Sequence, residues 1–423
     1  MAKYVLEYMI YKKDHTFMHS SPSSGPSQKI SDREFIALMA VIMSMVALAI
    51  DSILPALSII ARDINVANLN DSQWIISFVF FGMSAGLVFY GPLSDAHGRK
   101  PILYIGVGFF LIGDLLSIIA NDLTVMLIGR FLQGFGGAAC RVITVAMVRD
   151  RFEGAEMAKF MSLIMMIFIL IPSLAPSVGQ LILFLTSWKI IFWFIFAFGM
   201  LAIIWFHYRQ YETLIPKNRH PFSIFRIITR AVEVIKNPVA ISFTLASGII
   251  FGSFVAYLNT ASQIMQGQYG VGEMFAFYFG IQAFTYGISS YMNAKLLSYF
   301  SIKTICFVAL LSLTITSLIF CIYLFINCSQ LSFTFMMIYM LITFFSIGPL
   351  FGNFNSLAMQ PFGHIAGVAT SVISSIQTLA AVSVGAIVGQ LYNGTVTPLI
   401  TSFFVCGAVT LIIFSFGIKR VKQ

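Results

Sequence analysis

Twelve apolar stretches of about 20 residues or more follow one another through this chain, and they constrain its fold more than any other feature. A run of that length crosses the hydrocarbon core of a bilayer as a helix. Only 10% of the residues are charged and 58% are hydrophobic, which is more apolar surface than a soluble core can bury. We therefore expect an all-α polytopic membrane protein with twelve transmembrane helices. The predicted spans are 35–60, 74–93, 101–120, 123–148, 160–185, 187–207, 238–264, 274–297, 304–328, 331–353, 364–391 and 396–418.

The longest polar segment after the N-terminal tail lies between the sixth and seventh spans, so the spans divide into six and six. We predict two pseudo-symmetric six-helix bundles, because the turns 93–100 and 296–303 each join the second and third spans of a half. The predicted parts are a disordered cytosolic tail (1–34), an N-terminal bundle (35–207), a cytosolic linker (208–237), a C-terminal bundle (238–418) and a cytosolic C-terminal tail (419–423).

The basic residues predict the orientation. Of 25 Lys and Arg, only Arg62 and Lys189 fall in loops that this topology assigns to the outside. Cytosolic loops carry the excess of Lys and Arg, so we expect both termini in the cytosol. The net charge of +9 is spread over short loops and is not gathered in one patch, so we attribute it to topology and expect no nucleic-acid partner.

The cysteines and the motif content exclude several classes. The five cysteines are scattered, mostly inside apolar runs, and fit neither a disulfide framework nor a metal site. The sequence has no Gly-rich phosphate loop and no His-Glu-x-x-His pattern. We therefore expect no enzyme, no cofactor and no bound metal, and an ion gradient to drive any uphill movement.

A polar and charged island, residues 91–100, separates the second and third spans. Its glycines allow a tight turn, and its bases hold that turn on the cytosolic side. We expect this turn to act as a conformational gate that alters switching rates more than substrate affinity. The residues that we assign to it are Gly91, Asp95, Gly98, Arg99 and Lys100.

Three ionisable residues inside spans are functional candidates, because a charge at mid-membrane costs roughly 2.5–3.5 kcal/mol. Asp51, Arg130 and Asp114 lie at one predicted depth. Arg130 stays protonated and needs a carboxylate partner or a wet cavity. We expect a proton and the substrate to compete for Asp51, with Arg130 holding it in place. A fixed structural ion pair is the alternative, and Asp114 either takes part or lines a polar contact.

Polar residues in otherwise apolar spans are candidates for the substrate cavity. Such residues also hold helices together, and that alternative stays open for each of them. The candidates are Gln133, Tyr257, Asn259, Gln282, Asn353 and Asn355.

Several motifs in chain order resemble the major facilitator superfamily and, within it, the Bcr/CflA group of bacterial drug-resistance transporters. The resemblance covers nearly the whole chain from about residue 35. The motifs are Asp51-Ser52-Ile53-Leu54-Pro55-Ala56-Leu57, the turn 91–100, Arg130-Phe131-Leu132-Gln133-Gly134, Val148-Arg149-Asp150, and the antiporter-like Pro172 with Pro176 and Gly179. One departure is Gln180, which stands where a second glycine is usual.

The resemblance implies a proton-coupled antiporter of the bacterial inner membrane that exports small amphipathic drugs or toxic metabolites by alternating access. The expected partners are a small-molecule substrate, protons and the lipid bilayer, and we expect a monomer. A transporter of one defined metabolite, such as an amino acid or a siderophore-like molecule, is the first alternative. A non-transporting membrane sensor is the second.

Overall fold

The structure is a computed structural model, and it describes residues 30–219, 221–327 and 330–421. All regular secondary structure in these ranges is helical. We number the α-helices in chain order. They are α1 (Asp32–Asp51), α2 (Leu57–Asp63), α3 (Trp74–His97), α4 (Arg99–Ile119), α5 (Leu123–Arg151), α6 (Gly154–Leu185), α7 (Trp188–Arg209), α8 (Ile224–Lys236), α9 (Pro238–Ser262), α10 (Phe275–Leu296), α11 (Ile302–Ile326), α12 (Phe333–Ile347), α13 (Leu350–Met359), α14 (Ala366–Gln390) and α15 (Thr397–Val421).

Each predicted span coincides with a helix or with a pair of consecutive helices. Among the described residues, ten helical segments are long and apolar enough to cross a membrane. Helices α6 and α10 occupy the two remaining predicted positions, the fifth and the eighth. The all-α polytopic architecture predicted from the apolar runs is confirmed. The predicted N-terminal tail, 1–34, lies mostly outside the described residues.

The first span is broken, although its apolar run predicts one continuous helix. Helix α1 ends at Asp51, a 3₁₀ turn covers Leu54–Ala56, and α2 then continues the span. Pro55 explains the break, because proline lacks the N–H that would bond the carbonyl of Asp51 four residues earlier. The break therefore places a carboxylate-bearing residue at the end of a helical segment inside the bundle.

The tenth span is broken in the same way. Helix α12 ends before Gly348 and Pro349, and α13 extends the span to Met359, beyond the predicted end at 353. Pro349 cannot donate to the carbonyl of Phe345, and the hydroxyl of Ser289 in α10 donates to that carbonyl instead. A side chain from a neighbouring helix thus satisfies a backbone group that lipid could not.

The helices form two groups, α1–α7 and α9–α15. In the first group, glycines allow close packing around α5. A Cβ atom on Gly134 would lie 1.9 Å from the carbonyl oxygen of Val79 in α3, and one on Gly136 would lie 2.2 Å from that of Gly106 in α4. Only glycine permits backbones to approach so closely.

The two groups meet mainly along two helix pairs, α3 against α14 and α6 against α10. We name the two ends of the bundle by their residues. The Gln73 end comprises 64–73, 263–274 and 390–396, and the Arg99 end comprises 94–100, 149–154 and 209–214.

Candidate functional site

Asp51 is buried and stands apart from the other charged groups of the spans. Its side chain is 5% exposed. Among the described residues, no hydrogen bond or ion pair to its carboxylate is found. It lies within electrostatic range of the Tyr257 hydroxyl in α9, on the other half of the molecule. A carboxylate in this position is neutralised only by a proton or by a bound cation.

Arg130 is completely buried and bonded in several directions. Its Nε donates to the carbonyl of Ile75 at 3.0 Å, and one Nη donates to the carbonyl of Ala49 at 3.1 Å. Its other Nη donates to the Gln133 side-chain oxygen, and its guanidinium carbon lies 5.7 Å from the ring centroid of Phe192. These contacts replace much of the hydration that a guanidinium loses on burial.

The alternative of a fixed ion pair between Arg130 and Asp51 is not found among the described residues. The carboxylate coupled to Arg130 is that of Asp114, through Gln133, whose amide nitrogen donates to Asp114 Oδ1. Asp114 Oδ2 has no hydrogen-bond partner among the described residues. The reason for the difference is geometric. Gln133 lies one helical turn after Arg130 on α5 and is closer to it than either carboxylate.

Tyr257 and Gln282, both predicted for the cavity, lie together. The Tyr257 hydroxyl donates to the Gln282 side-chain oxygen. The ring of Tyr257 lies 5.1 Å from Phe344 and 5.8 Å from Phe279, measured between centroids. Tyr257 therefore joins a polar group near Asp51 to an aromatic surface.

The aromatic surface continues toward the other half of the protein. Phe251 lies 5.6 Å from Phe254 and 5.2 Å from Phe351, and it contacts Phe80 of α3 at 6.0 Å. Phe251, Phe254 and Phe351 are only partly buried. Aromatic faces attract cations and pack against flat apolar groups.

The other predicted cavity residues have structural partners. The Asn259 amide donates to Ser77 Oγ at 3.0 Å and to the carbonyl of Gly385 at 3.1 Å, which joins the two halves. Asn353 exchanges side-chain hydrogen bonds with Asn293 of α10, at 3.0 and 3.2 Å. Asn355 differs, since its side-chain oxygen is buried without a partner among the described residues.

The antiporter-like motif of α6 lies against the break in the first span. A Cβ atom on Gly179 would lie 1.8 Å from the carbonyl oxygen of Ser52, next to Asp51. Pro172 and Pro176 lie within α6 on the same span. Gly179 thus permits the backbone of α6 to touch the segment that carries Asp51, despite Gln180 in the following position.

The predicted tight turn over 91–100 is wrong in its extent, because α3 continues to His97 and only Gly98 lies between α3 and α4. The charged residues of this segment form a network within the first half. Arg99 is 3% exposed and pairs with Asp95 at 2.5 Å and, through two nitrogens, with Asp150 of α5 at 2.8 and 3.3 Å. Gly98 has φ +104°, a value that favours glycine. Gly91 faces the second half, because a Cβ atom there would lie 2.7 Å from Ser371 Oγ.

Glu212 completes this turn, and the sequence analysis missed it. Its carboxylate accepts from the backbone N–H groups of Arg99 and Lys100, both at 3.0 Å, so it caps the N-terminus of α4. The Lys100 ammonium donates to the carbonyl of Gln210. The only sequence signal was an acid five residues after the predicted end of the sixth span, in a linker that carries six bases and one other acid.

A second network, also missed, closes the Gln73 end across the two halves. Gln73 Nε2 donates to Gln263 Oε1 at 2.6 Å, and Gln263 Nε2 donates to the carbonyl of Leu69 at 2.9 Å. Asn70 donates to the carbonyl of Tyr392 at 2.8 Å, and Gln390 donates back to the carbonyl of Asn70 at 3.0 Å. We call these residues the amide clasp.

The hydrogen bonds between the halves are unevenly placed. In the described ranges they run from the amide clasp to Ser84, which bonds Ser375 in α14, and none is found at the Arg99 end. The protein is thus closed at the Gln73 end, and the two halves are held there by neutral amides and hydroxyls.

The described residues hold no cluster of three or more His, Cys, Asp or Glu side chains that would bind a metal ion.

We predict that Glu212→Gln lowers the free energy of unfolding by about 1 kcal/mol, because the charge at the α4 N-terminus and one backbone bond are lost. Glu153→Gln is the matched control, since Glu153 is exposed at a helix start and caps nothing with its side chain. Thermal unfolding in detergent measures both. Equal melting temperatures for the two variants would contradict the capping role.

We predict that the double variant Gln73→Ala/Gln263→Ala shifts the protein toward opening at the Gln73 end, because the clasp loses its central bond. Spin labels on Ala67→Cys and Leu391→Cys, both exposed near the clasp, report the distance between the halves. A longer distance population should appear in the variant. Asn68→Ala, which bonds only within its own loop, is the control. An unchanged distance distribution would show that the clasp does not hold this end.

Comparison with known proteins agrees with this geometry. A family model of the Major Facilitator Superfamily matches residues 38–386. The bicyclomycin resistance protein homolog of Haemophilus influenzae is 27% identical over 403 residues, which are 93% of this chain and 98% of that protein. The multidrug resistance protein MdtL of Escherichia coli is 28% identical over 87% of this chain and 91% of its own. The human organic anion transporter MFSD10 (TETRAN) shares the fold, with a TM-score of 0.66, 14% identity and coverage of 92% and 100%. The family model spans most of the sequence, and this chain therefore belongs to the major facilitator superfamily of multi-pass membrane transporters.

Proposed function

We propose that this protein exports small amphipathic molecules across the bacterial inner membrane in exchange for protons, by alternating access. Two relatives that align over most of their length are named for resistance to bicyclomycin and to multiple drugs. Export that lowers the intracellular concentration of a toxic compound accounts for resistance of both kinds. The base distribution places the Arg99 end and both termini in the cytosol.

The uncompensated carboxylate of Asp51 is the observation that carries this proposal. Arg130 and Asp114 are linked through Gln133, whereas Asp51 has no bonded partner among the described residues. A structural charge in a membrane is normally paired. An unpaired one suits a group that alternates between a proton and a substrate, because either of them neutralises it.

The charge of Asp51 and the aromatic surface that begins at Tyr257 indicate the class of substrate. The half-buried aromatic residues Phe251, Phe254 and Phe351 offer faces to a flat apolar body, and Asp51 offers a negative charge to a cationic group. The charge and the aromatic faces together fit an amphipathic cation better than an amino acid.

Arg130 and Gly179 hold the backbone on either side of Asp51. Arg130 holds the carbonyl of Ala49, two residues before Asp51, and Gly179 allows α6 to press on Ser52 directly after it. Both contacts act on the backbone and leave the carboxylate free. Arg130 is thus a positioning residue.

The two ends of the bundle supply the switch. The amide clasp closes the Gln73 end with neutral hydrogen bonds that can be exchanged for bonds to water. At the Arg99 end, no hydrogen bond between the halves is found among the described residues, so this is the end at which the proposed opening lies. Rocking of the two halves would break the clasp and open the opposite side, as in other transporters built from two halves.

We predict that Asp51→Asn abolishes efflux of ethidium driven by a proton gradient in inverted vesicles. If Asp51 had only a structural role, the substitution would destabilise the protein and would not remove the coupling of efflux to protons. Asp114→Asn should lower the rate and keep the coupling, because the hydrogen bond found for the Asp114 carboxylate among the described residues joins it to Gln133 of the same half. The matched control is Glu273→Gln, an exposed acid at the Gln73 end. Ethidium fluorescence with and without a protonophore is the measurement.

Two outcomes would overturn the proposal. Efflux in the wild type that is unaffected by collapse of the proton gradient would exclude proton antiport. Full proton-dependent efflux in Asp51→Asn would move the coupling site elsewhere. The folded state of each variant is checked by its melting temperature, so loss of activity is not confused with loss of structure.

A further inference from the structure

We propose that helix α8 is an amphipathic membrane anchor, with an apolar stripe that enters the leaflet on the Arg99 side and basic residues that bind anionic lipid headgroups. The proposal rests on the placement of α8, on the exposure of its apolar residues and on the charge of the linker. It does not depend on the transport mechanism.

The placement of α8 is fixed by its junction with α9. Helix α8 ends at Lys236, and α9 begins at Pro238. Asn237 alone lies between them, and its side chain accepts from the backbone N–H groups of Val239 and Ala240. Because α9 is long and apolar enough to cross a membrane, a helix joined to its first turn by one residue lies at the membrane surface.

One side of α8 is docked on the protein. Ile227 and Val234 are 5% and 0% exposed, and α8 packs against α14 and α9 of the second half. Residues seven apart lie on the same side of a helix, so these two define a single docked side. A helix that used its apolar residues only for this contact would be polar elsewhere.

A second side of α8 is apolar and uncovered. Among its described side chains, five large apolar ones are exposed by 41–77%. They are Ile224 at 50%, Phe225 at 77%, Ile228 at 55%, Val232 at 41% and Ile235 at 50%. The last four are spaced by three, four and three residues, which gathers them into one stripe beside the docked side. At the level of the membrane surface, the acyl-chain boundary of the bilayer covers such a stripe.

The third side of α8 is polar and belongs to a basic linker. Thr229 is exposed, and Arg230 pairs with Glu233 at 2.7 Å. Residues 208–237 contain six Lys and Arg against two Glu, and Lys217 and Lys236 are exposed near its two ends. Basic residues beside an amphipathic helix attract anionic lipids. A second protein would have to cover the apolar stripe from within the bilayer, so the structure favours lipid as its partner.

Anchoring of α8 would act on both halves of the transporter. The preceding segment is bonded to the first half, where Glu212 caps α4 and Thr213 donates to Asp150 at 3.0 Å. Helix α8 itself is docked on the second half. The linker therefore connects the two halves, and the lipid that binds α8 would limit the distance between the halves at the Arg99 end.

Lipid quenching of tryptophan tests the apolar stripe. Ile228→Trp lies on the stripe and Arg230→Trp, two residues later, lies on the opposite, polar side, so each is the control for the other. In bilayers containing brominated phosphatidylglycerol, the fluorescence added at position 228 should be quenched severalfold more strongly than that added at position 230. Equal quenching, or stronger quenching at 230, would overturn the proposal.

Lipid binding tests the charges. The double variant Lys217→Gln/Lys236→Gln should bind phosphatidylglycerol in mixed micelles more weakly by about fivefold for each charge removed. The control is Lys303→Gln/Arg420→Gln, which removes two bases at other helix ends. Affinity for zwitterionic phosphatidylcholine should not change. An affinity for phosphatidylglycerol that equals that of the control variant would contradict the assignment of α8 and its linker as the anionic-lipid site.

Discussion

Every backbone polar group placed inside a bilayer must find its partner within the protein, and this constraint accounts for much of the architecture. A helix pairs its own backbone N–H and C=O groups by hydrogen bonds, and two prolines, Pro55 and Pro349, interrupt this pairing within spans. At Pro349 the freed carbonyl of Phe345 is recovered by Ser289. At Pro55 the chain continues through a 3₁₀ turn, and Asp51 is left at the end of a helical segment. At Pro349 the freed backbone group is thus hydrogen-bonded again, whereas at Pro55 the break leaves a carboxylate inside the bundle.

The same constraint separates the buried charges into two kinds. Arg130 is bonded to two carbonyls and to Gln133, and the chain continues from Gln133 to Asp114, so this charge is built into the first half. Asp51 has no such partner among the described residues. A charge that is fully bonded holds its position, whereas one that is not bonded is available for exchange. Under the proposed antiport, proton coupling is therefore assigned to Asp51 and not to a pair of Asp51 and Arg130.

Much of the fold could be predicted from the sequence, because runs of apolar residues and the position of bases are local properties. The breaks at Pro55 and Pro349 also had a local signal. The partner of Arg130 could not be predicted, because Gln133 and two carboxylates were all compatible with the spacing. The amide clasp joins residues about 190 positions apart, such as Gln73 and Gln263, and nothing local to either one identifies the other. Glu212 was missed for the same reason, since its role depends on the N-terminus of α4.

Proton release on ligand binding tests the central claim about Asp51 most directly. Tetraphenylphosphonium is added to the purified protein in weakly buffered detergent at a pH where Asp51 is protonated, and a pH indicator records the protons released. The account predicts release of about one proton per bound cation from the wild type and from Glu273→Gln, with binding but no release in Asp51→Asn. Release from Asp51→Asn that equals the wild type would contradict the account.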